Sequence, residues 1–172
     1  MSTTNPNFDV LRAYIAGNEG YRTSVYTDTQ GNKTVGIGFN LQQSGAQKQI
    51  ENLGVNYQQL CSGQVVLTNG QVDSLFEDSV NNAIQGAQAT VSNFSSLVPA
   101  RQIVVVDMVF NLGESKFSGF HQMIAALEAG NWDEAATQML NSLWYDQVGE
   151  RGQRDVGSMK LGALLPMANN LS

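Results

Sequence analysis

Residues 19–38, which read EGYRTSVYTDTQGNKTVGIG, constrain the fold and chemistry of this chain more than any other segment. Glu19 follows apolar residues at helical spacing, and Asp28 lies in a polar turn nine residues later. Thr34 belongs to residues 33–39, in which apolar and small or polar residues alternate as in a half-buried strand. The segment therefore predicts a helix that leads into a small antiparallel hairpin carrying two carboxylates and a hydroxyl.

The ends of the first helix set the environments of the two carboxylates. Asn5 and Pro6 predict its start, and Gly17 predicts its end. Glu19 is then expected just beyond the negative end of the helix dipole, where a carboxyl group holds its proton more tightly. Asp28, in an exposed turn, is expected to stay ionised near neutral pH.

These two environments suit acid and base catalysis, which needs two titratable groups held at different pKa values. Glu19 would be the acid, while Asp28 and Thr34 together would hold a water molecule for nucleophilic attack. Thr34 shares its strand face with Gly36 and Gly38, so this face is predicted to be nearly bare. A bare strand face lets a bulky ligand approach the backbone closely.

The remainder of the chain is predicted to be mainly helical, with a loop through Cys61. Thr68 and Gln71 have the spacing of a capping box at the start of a long helix. The predicted helices cover residues 46–53, 69–91, 101–112, 120–129, 132–144 and 151–165. We therefore predict an α+β, mainly α, single domain over residues 1–172, with lobes at about 1–67 and 92–172 joined by a helix at about 69–91.

Composition and charge exclude several classes of function. The chain has 172 residues, enough for a hydrophobic core, and a net charge of −6, which argues against nucleic-acid binding. Cys61 is the single cysteine, so no intrachain disulfide is expected. The polar N-terminus predicts neither a signal peptide nor stable membrane insertion. We accordingly expect synthesis in a host cytoplasm and delivery by other means if the target lies outside it.

The pattern E-G-(x)5-Y-x-D-x-x-G-x-x-T-x-G-x-G at residues 19–38 resembles the catalytic segment of the T-even phage lysozymes, glycoside hydrolase family 24. Three further segments resemble that family in the same order along the chain. They are MVFNLGES at 108–115, WDEAA at 132–136 and WYDQ at 144–147. Arg151 and Arg154 also fall where the family carries arginines. The similarity covers nearly the whole sequence.

The resemblance implies a lysozyme-like muramidase that cleaves the β-1,4 bond between N-acetylmuramic acid and N-acetylglucosamine in peptidoglycan. It implies Glu19 as the general acid, with Asp28 and Thr34 at the attacking water, and Arg151 as the cationic partner of Glu19. It also implies four residues lining the substrate cleft between the lobes: Asn40, Phe110, Met123 and Gln138. No metal or cofactor is implied. The expected role is that of a phage endolysin, an antimicrobial, cytolytic enzyme acting at periplasmic peptidoglycan.

The sequence departs from the family in charge and in a few residues. Phe39 stands where a family member carries a histidine, and Asn40 and Met123 replace a leucine and a serine. Well-known members are basic, whereas this chain is acidic and would be repelled by an anionic wall. Release through a holin, carriage in a virion and export by a secretion system are therefore all open as delivery routes.

Other interpretations of the same residues remain. A lytic transglycosylase would use one acid and no water, and a non-catalytic module would bind peptidoglycan without cleaving it. Cys61 and His121 would form a nucleophilic pair only if the fold brought them together. Trp132 and Trp144 would be sugar platforms if exposed, but their helical context favours the core.

Overall fold

The structure is a computed structural model that describes residues 6–166. This part of the chain forms ten α-helices and one three-stranded antiparallel sheet, which confirms the predicted α+β, mainly helical class. The helices are α1 (Phe8–Glu19), α2 (Ala46–Asn52), α3 (Tyr57–Cys61), α4 (Asn69–Thr90), α5 (Pro99–Leu112), α6 (Glu114–Phe117), α7 (His121–Glu128), α8 (Trp132–Leu140), α9 (Leu143–Val148) and α10 (Glu150–Leu161). The strands are β1 (Arg22–Thr27), β2 (Lys33–Gly36) and β3 (Phe39–Asn40). Within these residues, no helix combines the length and apolar character needed to cross a membrane.

The described residues divide into two compact units. One unit is Ile15–Asn81, here called the sheet unit, because it contains the whole sheet. The other, the helical unit, comprises the described residues up to Tyr14 and those from Asn82 onward. The long helix predicted at about 69–91 is observed as α4, and the boundary between the units falls inside it.

The sheet runs in the order β1-β2-β3. Its second half differs from the single strand predicted at residues 33–39, because the chain turns at Ile37 and Gly38 and returns as β3. Gly36 and Gly38 have φ values of 67° and 66°, which an L side chain rarely adopts, so the two glycines form a tight turn here. The alternating pattern predicts one strand because it does not encode this reversal.

The first helix extends further than predicted. Asn7 caps it, since the Asn7 Oδ1 accepts hydrogen bonds from the backbone N–H groups of Asp9 (2.9 Å) and Val10 (3.2 Å). Asn5 lies outside the described residues. The helix passes through Gly17 and ends at Glu19, and the prediction that Gly17 terminates it is wrong. The terminating glycine is Gly20, whose φ of 79° breaks the helical path.

The short helices α3, α6 and α9 are not predicted as separate elements, although α3 and α9 begin at capping side chains. The loop predicted through Cys61 contains α3, which Asn56 caps by accepting a hydrogen bond from the backbone of Gln59. The helix predicted at residues 132–144 is two helices, and Ser142 caps the second by accepting from the backbone of Tyr145. Side chains of this type at an N-cap satisfy N–H groups that the helix cannot pair itself.

The core of the helical unit is built around α5, which is buried from Ala100 to Val109 as its apolar run predicted. Helices α8 and α10 pack together, and α10 also packs on α5. The guanidinium of Arg101 fixes one of these contacts, because its Nε donates to the carbonyl of Met159 at 2.8 Å. This packing holds the polar residues of α5 and α10 at the buried centre of the unit.

Candidate active site

Glu19 is the last residue of α1, and its side chain lies directly against the backbone of Gly38. A Cβ atom placed on Gly38 would lie 2.8 Å from both Cδ and Oε2 of Glu19. Atoms in real side chains do not approach so closely, so the half-buried Glu19 carboxyl occupies space that only a glycine leaves open. The turn between β2 and β3 therefore positions the predicted acid.

Tyr26 of β1 stands close to both predicted catalytic carboxylates. Burial raises the pKa of the Tyr26 hydroxyl, and the charges of Glu19 and Asp28 raise it further, while the Arg22 guanidinium opposes them. That guanidinium lies 4.7 Å from the centre of the Tyr26 ring. Tyr26 therefore interacts electrostatically with both Glu19 and Asp28.

Asp28 is held as a carboxylate by a tight turn. Its Oδ1 accepts from the backbone N–H groups of Gln30 (2.9 Å) and Asn32 (2.8 Å), and its Oδ2 accepts from Nδ2 of Asn32 (3.3 Å). Desolvation alone would raise the pKa of Asp28, but the hydrogen bonds from Asn32, Gln30 and Thr34 outweigh it and hold the pKa below its ordinary value. Asp28 is therefore ionised across the physiological pH range.

Sheet register brings Thr34 and Asn40 together. Thr34 pairs with Tyr26 on one side and with Asn40 on the other. The Thr34 hydroxyl lies 3.2 Å from the carbonyl of Asn32 and is also hydrogen-bonded to Asp28. The Asn40 side chain accepts from the backbone of Gln42 at 2.8 Å. Asp28, Thr34 and Asn40 thus share one region of the sheet unit.

The strand face predicted to be bare is largely covered. Thr34 is only 3% exposed, and a Cβ on Gly36 would lie 3.5 Å from Val72 of α4. Only Gly38 meets a candidate functional group, the Glu19 carboxyl. The prediction of an open glycine face is therefore wrong at Gly36, where the glycine accommodates packing on a helix.

Two of the residues that the resemblance assigns to substrate line one surface depression of the helical unit. Met123 and Gln138 contribute to a depression of about 500 Å³. Met123 is almost fully buried, so it forms the floor, whereas the Gln138 amide already donates to Glu134 at 2.7 Å. Phe110 is half-buried near the end of α5 and does not belong to the lining of this depression.

Arg151 is buried in the helical unit and paired with Asp107. Its Nε donates to Oδ2 of Asp107 at 2.8 Å, and its Nη2 donates to Oδ1 at 2.9 Å. Such a bidentate pair fixes the guanidinium plane. The role implied for Arg151, as a partner of Glu19, stays a prediction, and Asp107 is the residue that orients it.

The alternative roles considered for single residues find little support. Trp144 is buried and donates from Nε1 to Asn111 at 3.0 Å, which confirms it as a core residue. Trp132 is half-buried beneath the Arg101 guanidinium, 4.1 Å from its ring centre. Cys61 belongs to the sheet unit and His121 to the helical unit, and their pairing as a nucleophile stays a prediction.

Three residues at this candidate site were not predicted from the sequence. Asn32 donates twice to Asp28, Tyr26 lies near both carboxylates, and Asp107 orients Arg151. The sequence Asp-x-x-Gly-Asn could have indicated the role of Asn32, because an aspartate in a turn commonly accepts a hydrogen bond from the backbone N–H two or more residues later. The role of Asp107 had no local signal, because its partner lies 44 residues away.

A mainly helical chain with a small antiparallel sheet, a carboxylate at the end of a helix and a second carboxylate in a turn of the sheet has the organisation of a lysozyme-like glycosidase. The family model for phage lysozymes matches residues 16–156, and the chain therefore belongs to the phage lysozyme family. Accordingly the protein is a glycoside hydrolase of the lysozyme type, and peptidoglycan is the substrate on which such enzymes act.

Named relatives agree with this family. The protein "Probable T4-type lysozyme 2" of Dictyostelium discoideum is 28% identical over 162 residues, covering 90% of this chain and 95% of the relative. "Probable T4-type lysozyme 1" of the same organism is 27% identical over 154 residues, covering 85% and 91%. The "Pre-baseplate central spike protein Gp5" of Enterobacteria phage T4 is 27% identical over 161 residues, which cover 87% of this chain but 27% of that protein.

Proposed function

We propose that this protein is a muramidase that hydrolyses the β-1,4 bond between N-acetylmuramic acid and N-acetylglucosamine by acid and base catalysis. Glu19 is the general acid that protonates the leaving glycosidic oxygen. Asp28 is the base that orients and activates the attacking water. Thr34 is the second group that holds this water. These three residues all belong to the sheet unit.

The state of Asp28 is the observation that carries this proposal. A base must be ionised at the working pH, and three hydrogen bonds from Gln30 and Asn32 stabilise the Asp28 carboxylate. The Thr34 hydroxyl is bonded to that carboxylate and keeps oxygen lone pairs that accept from a water molecule. A lytic transglycosylase needs no such water site, so the pair of Asp28 and Thr34 favours hydrolysis.

The position of Glu19 suits the role of general acid. Glu19 is half-buried, and its carboxyl lies against Gly38. The turn that contains Gly38 therefore defines the position of this carboxyl. An acid and a base held in different surroundings on one small scaffold are what glycosidic hydrolysis requires. Family members of this kind generally invert the anomeric carbon, and we propose the same outcome here.

We propose that Asn40, Phe110, Met123 and Gln138 contact the glycan, and that Arg151 supports Glu19. Gln138 and Asn40 offer amide groups suited to the hydroxyl and acetamido groups of sugars. Met123 forms the buried apolar floor of a depression that polar side chains also line. A sugar binds well to such a mixture, because its ring faces are apolar and its edge is polar.

Digestion of purified sacculi, followed by mass spectrometry of the released muropeptides, tests the reaction. Wild type is expected to release products with reducing-end N-acetylmuramic acid. Glu19→Gln is expected to release none, because an amide cannot donate the proton, and Asp28→Asn is expected to be severely impaired. Glu77→Gln, an equivalent change at an exposed position of α4, is the matched control and should match wild type.

The products also separate the alternatives. 1,6-Anhydro products from wild type would show a transglycosylase and would overturn the role of Asp28. Binding to sacculi without any release would show a non-catalytic module. Near-normal release by Glu19→Gln, with its thermal unfolding unchanged, would remove Glu19 from the mechanism.

For the biological role, we propose that the enzyme is synthesised in a host cytoplasm and reaches periplasmic peptidoglycan by delivery, causing lysis of the cell. A holin, a virion and a secretion system are the candidate routes, and the similarity to a pre-baseplate central spike protein supports the virion. Expression alone in a bacterial cytoplasm should then leave cells intact, and fusion to an export signal should lyse them. Lysis without that signal would contradict the need for delivery.

A further inference from the structure

A cluster of five polar side chains lies buried in the helical unit and includes none of the three residues proposed as catalytic. Tyr14 of α1, Asp107 of α5, and Arg151, Arg154 and Asp155 of α10 are each less than 10% exposed. Burying ionised groups is costly unless each is paired, so the pairing within this cluster shows which of its carboxyl groups is charged.

Asp107 is the ionised member. Both of its carboxylate oxygens accept from the Arg151 guanidinium, at 2.8 and 2.9 Å. Arg154 is engaged elsewhere, because its Nη2 donates to the carbonyl of Tyr14 at 2.7 Å and its guanidinium lies 3.5 Å from the centre of the Tyr14 ring. The charge of Arg151 is therefore matched by Asp107.

Asp155 has no equivalent pairing. It is fully buried, and its Oδ1 accepts from the Tyr14 hydroxyl at 2.6 Å. Among the described residues, no donor reaches its Oδ2. The carboxyl of Asp107 is a hydrogen-bonding neighbour of Asp155, and two carboxylates cannot bond to each other unless one of them carries a proton.

The surroundings of Asp155 favour that proton. Burial raises the pKa of the Asp155 carboxyl most, and the charge of Asp107 and the hydrogen bond to it raise it further. The Tyr14 hydroxyl and the Arg151 charge act in the opposite direction and are outweighed. Arg154 is the remaining charged group of the cluster, and it faces Tyr14.

We propose that Asp155 carries a proton in the folded enzyme and donates it from Oδ2 to Asp107, so that Asp107 and Asp155 are positioning residues for the Arg151 guanidinium. The chain of contacts then runs from Tyr14 through Asp155 and Asp107 to Arg151, and every polar atom along it has a partner. The further role of Arg151, which is to support the catalytic acid Glu19, rests on the proposed function.

Thermodynamic linkage gives a test that does not depend on catalysis. If Asp155 keeps its proton when folded but ionises above its ordinary pKa of 3.8 when unfolded, the folded state binds one proton more. The wild type must then lose stability as pH rises, by up to about tenfold in the folding equilibrium constant per pH unit, until pH passes the folded pKa. Asp155→Asn abolishes this term, and its amide can still donate to Asp107 and accept from Tyr14.

The measurement is urea unfolding of wild type and Asp155→Asn at several pH values from about 5 to 7. Asp155→Asn is expected to gain stability relative to wild type as pH rises. Asp133→Asn is the matched control: Asp133 is 80% exposed and lies 3.9 Å from Lys160 Nζ, so its difference from wild type should stay nearly constant. A second readout is the infrared band of a protonated carboxyl group, expected in wild type and absent from Asp155→Asn.

Opposite results would overturn the proposal. An Asp155 that is ionised in the folded state would also be ionised in the unfolded state above pH 5, so the stability difference between Asp155→Asn and wild type would stay constant over this range and would exclude the bound proton. The positioning role has its own test, because Asp155→Leu removes the donor and should lower kcat with little change in KM, while Asp155→Asn should retain far more kcat. Equal kcat for both variants would contradict positioning even with the proton in place.

If Asp155→Leu does not fold, the pH dependence of Asp155→Asn still decides whether the proton is bound. If instead the sacculus assay shows that Glu19 is not catalytic, the unfolding result is unaffected. The two proposals therefore fail separately.

Discussion

Gly38 is the residue whose replacement tests most directly how the fold positions the acid. Gly38→Ala is expected to lower kcat/KM strongly, because its Cβ would lie 2.8 Å from the Glu19 carboxyl and displace it. It should also destabilise the protein by about 1 kcal/mol, because alanine is strained at a φ of 66°. Steady-state hydrolysis and thermal unfolding measure the two effects.

Gly54→Ala separates displacement of the acid from backbone strain. Gly54 has a similar φ of 79°, but a Cβ there would have no atom within 4 Å. Gly54→Ala should therefore lose a similar amount of stability and keep its activity. Equal losses of activity in both variants would show that strain, not the contact with Glu19, governs the effect of Gly38.

The contact between Gly38 and Glu19 shows how far the sequence alone predicts the candidate site at the scale of residues. The spacing of Glu19, Asp28 and Thr34 selected these candidates because each residue type fits one step of acid and base hydrolysis. The spacing of these three residues does not predict which other residues they contact. That Gly38 makes room for Glu19 follows from a turn that the alternating strand pattern concealed.

At the scale of elements, the start of α4 offers a quantitative test. Thr68 and Gln71 form the predicted capping box: the Thr68 Oγ1 accepts from the backbone of Gln71 at 3.1 Å, and the Gln71 Oε1 accepts from the backbone of Thr68 at 2.9 Å. Thr68→Ala should cost about 1 kcal/mol, because one N–H group of the first turn loses its partner. Urea unfolding measures this change.

Thr137→Ala is the matched control for the cap. Thr137 is exposed within α8, where alanine has the higher helix propensity, so this change should be neutral or slightly stabilising. A loss from Thr137→Ala as large as that from Thr68→Ala would mean that the cap contributes nothing specific.

Elements were predictable where a long periodic pattern or a strong cap marked them, as in α4 and α5. Short elements were not, because α3 and α9 have too few residues for a period to emerge. Their capping residues Asn56 and Ser142 were the available signal. The end of α1 was misplaced for a related reason: a glycine terminates a helix where positive φ is needed, and Gly17 and Gly20 cannot be told apart from sequence in this respect.

At the scale of the whole molecule, the sequence gives the fold class but not the long-range polar contacts. Four motifs in register were enough to identify the α+β, mainly helical fold. The buried cluster of Asp107 and Asp155 joins α5 to α10, and nothing local to either helix predicts that two carboxyl groups meet. Pairs separated by some fifty residues depend on packing, which the pattern of a single helix does not encode.

Net charge is the one property of the whole molecule that the sequence gives completely, and it makes a prediction about the proposed activity. The chain carries −6 at neutral pH, and peptidoglycan carries carboxylates. Like charges reduce the rate of encounter, and salt screens them over about 10 Å at 0.1 M. Digestion of sacculi should therefore accelerate as salt is raised from low concentration, the reverse of the behaviour expected of a basic enzyme.

An uncharged soluble oligomer of N-acetylglucosamine distinguishes this effect from a general salt effect on the enzyme. If the enzyme cleaves it, that rate should change little with salt, because no wall charge opposes the encounter. Acceleration on both substrates would point to salt acting on the protein itself. Slower digestion of sacculi at higher salt would mean that a local cationic surface, not the net charge, governs approach to the wall, and the need for assisted delivery would then lose its electrostatic basis.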